Sequence, residues 1–221
     1  MQVRRVTPIS MIEPMSIHRM SVRGAILALA LMPALASGPV LAADDADWPC
    51  VQRLVPEIAA GVVWAGPPLD AMKTHWATDA DVAPLAAKLA ARTTPLAVIE
   101  QEAKAMAARL DGKVRAEKLS LLFIGTLEII NGDRTRVIAD IGRYARGQRQ
   151  LAERVAAESK ELQAERDPAK AADLEARRNW DLRVLDDRHK VLSQVCEQPV
   201  LLEQHAFTLG RIIAAALESF P

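Results

Sequence analysis

The stretch "KELQAERDPAKAADLE", Lys160 to Glu175, decides the fold. It is charged throughout, with one Asp-Pro pair and only Leu162 and Leu174 as large apolar residues. Pro168 has no N–H, and inside a helix its ring meets the carbonyl one turn back. In the first turn of a new helix it is well placed. The stretch therefore ends one helix and begins another.

Upstream, Phe123, Leu127, Ile130, Val137, Ile141, Tyr144, Leu151, Val155 and Leu162 keep a single three-four phase, which is the signature of one buried helix face. Arg134, Gln148 and Glu158 are its polar interruptions. Asn131-Gly132 has the local chemistry of a turn, yet the phase crosses it without slipping. One helix over 114–165 is expected, about 75 Å long, with room for a bend at Gly132. Downstream, Leu174, Leu185, Leu192 and Val195 repeat over 169–195. "EQP", Glu197 to Pro199, then reads as a break. Leu202, Ala206, Leu209, Ile213 and Leu217 mark a last helix over 199–219.

Folding the chain back at Asp167-Pro168 sets Leu162 against Leu174, Leu151 against Leu185, Tyr144 against Leu192 and Ile141 against Val195. Polar positions coincide as well: Glu158 meets Arg178 and Gln148 meets Arg188. Val155 falls opposite Asp181, a mismatch that Trp180 would cover. Seams with matched polar layers fix the register of a helical hairpin. The alternative places both arms separately against a body. So little apolar surface near the turn makes it a projecting tip, and Glu161, Glu165 and Arg166 are its candidate partner contacts. Such charge runs are often only a solvated face.

Working outward, "DVAPLAAKLAAR" has Asp81 as N-cap and Val82, Leu85, Ala86 and Leu89 on one face. "TPLAVIEQEAKAMAARLDG" has Thr94 as cap and Pro95 at the first helical position. Leu96, Ile99, Ala103, Met106 and Leu110 point inward, and Gly112 closes the helix. Residues 43–80 are irregular, with several Pro and Gly and three of the four tryptophans: Trp48, Trp64 and Trp76. They read as an extended segment lying across the helices. "GVVWAG" has strand character without a strand partner. The expected fold class is all-α: an irregular Trp/Pro-rich segment, then a single helical domain over 81–221. That domain is a helical bundle with a long antiparallel, coiled-coil-like hairpin arm over 141–195.

Residues 1–42 read as a signal peptide. Arg19 and Arg23 precede the apolar run "AILALALMPALA", Ala25 to Ala36, and "VLA", Val40 to Ala42, offers small residues for cleavage before Ala43. Met15 or Met20 would serve equally as the start. A periplasmic or secreted chain is expected; an N-terminal membrane anchor is the alternative, although the run is short for a span. Cys50 lies too far downstream for a lipoprotein.

The chain has 28 basic and 28 acidic residues. Without Arg4, Arg5, Arg19, Arg23 and Glu13 the mature part has 24 and 27, a net charge of −3. That balance argues against nucleic acid, which calls for a basic excess. Aromatic residues make up only 4%, too few for base-stacking platforms. No membrane contact is expected after signal cleavage.

Cys50 and Cys196 are the only cysteines. With no C-x-x-C and no C-x-x-C-H, a redox pair and a c-type haem are excluded. In an oxidising compartment an intramolecular disulfide is the simplest use of two cysteines; two free buried thiols or an intermolecular bridge are the alternatives. Closing so long a loop stabilises by about 5 kcal/mol in the chain-entropy model.

No catalytic constellation is present. Past the signal the histidines are His75, His189 and His205, with no H-x-x-x-H or H-E-x-x-H spacing. "ADDAD", Ala43 to Asp47, lacks the Gly and the terminal Glu of a calcium loop. G-x-S-x-G, S-x-x-K and phosphate-cradling glycine loops are missing. No cofactor and no metal is implied, and an enzyme ranks below two other readings.

The segment "DWPCVQRLVPEIAAGVVWAGPPL" resembles uncharacterised exported bacterial helical proteins that share a Trp-Pro-Cys start. The resemblance implies export and the disulfide and carries no activity. The first expectation is an exported binding or scaffold protein acting through its helical surfaces on another exported or envelope protein, or on a second copy of itself. The second is a small-ligand or metal-binding bundle with a pocket lined by Trp48, Trp64, His75 and Trp76. Against the second stands a plainer use of those tryptophans, as apolar area that holds the segment down.

Overall fold

A computed structural model of the chain describes residues 48–70, 72 and 75–220. The segment 1–42 expected to be a signal peptide, the carboxylates of "ADDAD" at 43–47 and Ala71, Lys73 and Thr74 lie outside them. The described residues form five α-helices and a 3-10 turn, with no strand. In chain order these are α1 (Ala60–Val63), the 3-10 turn (Trp76–Thr78), α2 (Val82–Ala90), α3 (Leu96–Ala108), α4 (Gly112–Ala164) and α5 (Pro168–Glu218).

α4 runs unbroken for 53 residues, straight through Asn131-Gly132. At 1.5 Å per residue this is about 80 Å. The turn chemistry of Asn131 is spent elsewhere: its Oδ1 accepts from the Ile58 N–H at 2.9 Å and its Nδ2 donates to the Ile58 carbonyl at 3.1 Å. An amide that serves a distant backbone does not fold back on its own.

α5 corrects the expected break at Glu197–Pro199. It is one helix of 51 residues with Pro199 inside it. The missing N–H of Pro199 leaves the Val195 carbonyl without its helical donor. Donors from elsewhere bond the carbonyls around this point. Gln52 Nε2 donates to the Cys196 carbonyl and Arg134 Nη1 to the Pro199 carbonyl. Pro199 is buried, so its ring also contributes packing.

The turn between α4 and α5 is where Asp167-Pro168 places it. Asp167 Oδ1 caps α5 by accepting from Ala169 N–H at 2.9 Å, and Pro168 occupies the first turn. Tyr144 Oη donates to the Arg188 carbonyl at 2.6 Å, one turn short of the expected Leu192. Arg154 meets Asp181 at 2.6 Å. That ion pair answers the mismatch at Val155; Trp180, 62% exposed, does not cover it. At the polar positions expected to coincide, no hydrogen bond joins Glu158 to Arg178 or Gln148 to Arg188. Arg178 takes Asn179 instead, at 3.0 Å, while Glu158 Oε2 and Gln148 Oε1 are buried without a hydrogen-bond partner.

The main core lies where α2, α3, the first half of α4 and the last part of α5 meet. Leu89, Ile99, Met106, Leu119, Leu122, Phe123, Leu209 and Ile213 are among its largest fully buried side chains. Burying each such residue contributes about 2 kcal/mol of transfer free energy. Local helix ends depart from expectation in small ways. Asp79, not Asp81, caps α2, accepting from the N–H groups of Asp81 and Val82 at 3.1 Å. Pro95 is the N-cap of α3, because the Thr94 hydroxyl donates to the Lys88 carbonyl at 2.6 Å. Leu96 is exposed. Gly112 does not end α3, which stops at Ala108; it starts α4 at φ 38°, where a Cβ would be strained.

Candidate functional site

The irregular segment is a strap across α4 and α5. The Cys50–Cys196 disulfide is formed and fixes its start. Arg134 Nε donates to the Val55 carbonyl at 2.9 Å, and Asn131 brackets Ile58. "GVVWAG" forms the short α1, not a strand. The Val63 carbonyl then passes so close to Gly210 that a Cβ there would collide with it.

The four residues expected to line one pocket occupy three separate places along this strap, with His75 and Trp76 together. Trp64 stacks on Phe123 with centroids 4.3 Å apart, and its Nε1 donates to the Pro67 carbonyl. Trp76 lies against Gly125 and donates to Glu128. Trp48 donates to the Gln52 carbonyl at 2.7 Å. His75 Nδ1 accepts from the Ala77 N–H at 3.2 Å, and its ring stacks on Trp76 at 5.9 Å. Four cavities of about 400–490 Å³ among the described residues are lined by none of these four side chains.

The remaining histidines are as plain. His205 Nε2 lies 3.2 Å from the Leu89 and Ala90 carbonyls. Carbonyls only accept, so this nitrogen donates and closes the end of α2. His189 rims a groove beside the disulfide. No group of three His, Cys, Asp or Glu among the described residues stands close enough to hold a metal.

At the tip the structure gives Glu165 a local task. Its Oε1 accepts from the Arg166 and Asp167 N–H groups at 2.7 and 2.8 Å, holding the turn. Glu161 and Arg166 are exposed.

A different part of the arm presents the residue types of a contact site. Trp180 stands on the outer side of α5, and the Arg183 guanidinium lies 5.5 Å from its ring. Beside it is a cleft of about 400 Å³ lined by Arg154, Glu158, Ala176, Arg177, Trp180 and Asp181. The hydrogen bond to Asp181 raises the Arg154 pKa above its ordinary value, so that guanidinium stays charged. Trp180 has its indole in solvent, unlike the other three tryptophans, each of which donates to a named acceptor. The sequence held a signal for this: Trp180 is the one tryptophan inside a charged helical stretch. Read as cover for a mismatch, it passed as packing. An exposed indole flanked by guanidinium groups combines residue types enriched at protein-contact hot spots.

No protein-family model, no curated protein and no solved structure matches this chain.

Proposed function

We propose that the chain works after export as a helical scaffold that holds another exported or envelope protein, with the side of the arm around Trp180 as the contact. The observation that carries this reading is the exposure of Trp180, 62%. An indole left in water forgoes about 2 kcal/mol or more of burial, and it lies beside Arg177 and Arg183, the residue types enriched at binding hot spots. The arm's narrow section supports it too. Over 141–195 the buried apolar side chains are Ile141, Ala145, Leu151 and Leu174, so two helices alone carry this face outward. Export is supported by the apolar run at Ala25–Ala36 and by a disulfide that needs an oxidising compartment.

A photo-crosslinking side chain at position 180, in intact cells, tests the proposal. A discrete cross-linked envelope protein is expected there and not from position 100 on α3. Trp180→Ala combined with Arg183→Glu should reduce that product about tenfold or more while leaving the urea midpoint unchanged. A stable double variant that keeps every cross-linked partner would sink the reading.

A further inference from the structure

Beyond the arm, α5 carries a second unfinished face. Ser193, Glu197, Val200, Gln204, Phe207 and Arg211 recur at alternating intervals of four and three, the spacing of a helix-pairing seam. All six are exposed, Val200 at 37% and Phe207 at 46%. Leu202, Ala206, Leu209 and Ile213, on the opposite side of the same helix, are buried in the core. Two shallow grooves of about 490 and 440 Å³ run beside the seam and meet at Val200 and Gln204. Their outer rims are Val51 and Val62, 104% and 70% exposed. Val51, Val62, Val200, Leu201 and Phe207, all exposed, supply apolar area along these grooves, and exposed apolar area gathered in this way marks a contact surface.

The pattern of charge names the occupant. Glu197 lies seven residues before Gln204 and Arg211 seven residues after it, about 10 Å to either side. Among the described residues neither has an ion-pair partner; Arg211 lies over its own Phe207 ring at 5.8 Å. We infer that this face docks a second copy of the chain, α5 against α5, antiparallel about a two-fold axis at Gln204. That arrangement sets each Glu197 against Arg211 of the other copy. It sets Leu201 against Phe207 and Val200 against Thr208. Gln204 meets itself, and an amide that donates and accepts pairs with its own copy twice. A parallel arrangement sets Glu197 on Glu197 and Arg211 on Arg211, so charge selects the antiparallel one. A two-fold interface uses the same patch on both copies, which a self-complementary seam supplies.

This inference is independent of the arm contact, because Trp180 lies outside the seam. The test is sedimentation velocity of the disulfide-bonded protein across a wide concentration range. A concentration-dependent dimer is expected. Phe207→Asp should leave a folded monomer. Glu197→Arg alone and Arg211→Glu alone should each weaken the dimer about tenfold or more, and the double reversal should restore it. Trp180→Ala with Arg183→Glu should dimerise like the parent, which separates this result from the fate of the arm reading. A parent chain that stays monomeric at all concentrations overturns the inference, including the case in which it takes up a long-chain fatty acid in the groove. So does a dimer that ignores the single reversals, or one that the double reversal fails to restore.

Discussion

Asp79 joins two tasks in one side chain. It caps α2, and its Oδ2 meets Lys118 Nζ on α4 at 2.5 Å. The Lys118 hydrogen bond holds its carboxyl below the ordinary 3.8, against the opposing effect of burial and with help from the Val82 and Asp81 N–H groups. A carboxyl whose folded pKa is depressed contributes stability above its unfolded pKa and loses it as pH falls through the folded value. Lys118 is raised above 10.5, first by the same hydrogen bond, so its contribution is present below that pH and fades only in alkali. Asp79→Asn should keep the cap and flatten the acid limb of stability between about pH 5 and pH 2. Asp79→Ala should cost about 1 kcal/mol more by losing the cap. Urea midpoints against pH check both, and an unchanged acid limb in Asp79→Asn counts against the ion pair. Arg134 is the other residue on which distant segments converge. It is 4% exposed and donates to the carbonyls of Val55 and Pro199, with Glu203 3.9 Å away. Burial lowers its pKa and Glu203 partly offsets that. Arg134→Met should cost about 3 kcal/mol, because two carbonyls lose their donor. Arg134→Lys should not rescue it, since a single ammonium lacks the fork that spans both. A lysine variant as stable as the parent would contradict this account.

At the scale of elements, the hairpin turn is local chemistry and α5 is not. Asp167, Pro168 and Glu165 build the reversal within four consecutive residues. Asp167→Ala should cost about 1 kcal/mol, seen as faster amide exchange over 168–172 with the base of the bundle unaffected. Equal loss of protection in α2 and α3 would mean that the arm and base unfold together. The continuity of α4 was legible because its apolar phase crosses Asn131-Gly132 intact. The same test was available for α5: Leu192, Cys196, Pro199, Leu202, Ala206 and Leu209 hold one phase through Pro199. Proline's local rule points to a break at this position, and the helix follows the apolar phase instead. The rule concerns one missing donor, at the Val195 carbonyl, and the helix on either side together with the buried Pro199 ring outweighs that single loss.

Over the whole molecule, the strap turns two helical pairs into one closed unit, held by the disulfide at one end and by Asn131, Trp64 and Trp76 further along. Replacing both Cys50 and Cys196 by Ser should remove about 5 kcal/mol at most in the chain-entropy model. It should also open the exposed Arg53 to trypsin, while residues beyond Ile58 stay protected by Asn131. Cleavage spread evenly along the strap would show that the disulfide holds all of it. The sequence by itself determined the all-α class, the unbroken α4, the reversal at Asp167-Pro168 and the choice of disulfide partner. Each of these rests on periodicity, on one turn, or on there being only two cysteines. Tertiary structure alone decided that Arg134 gathers the Val55 and Pro199 carbonyls, that three tryptophans are tied to the strap and α4 while Trp180 faces water, and that α5 keeps a bare seam beside the strap. Those outcomes depend on donors and apolar surfaces that lie far apart in the chain and meet only when the helices pack, and no local pattern records such a meeting.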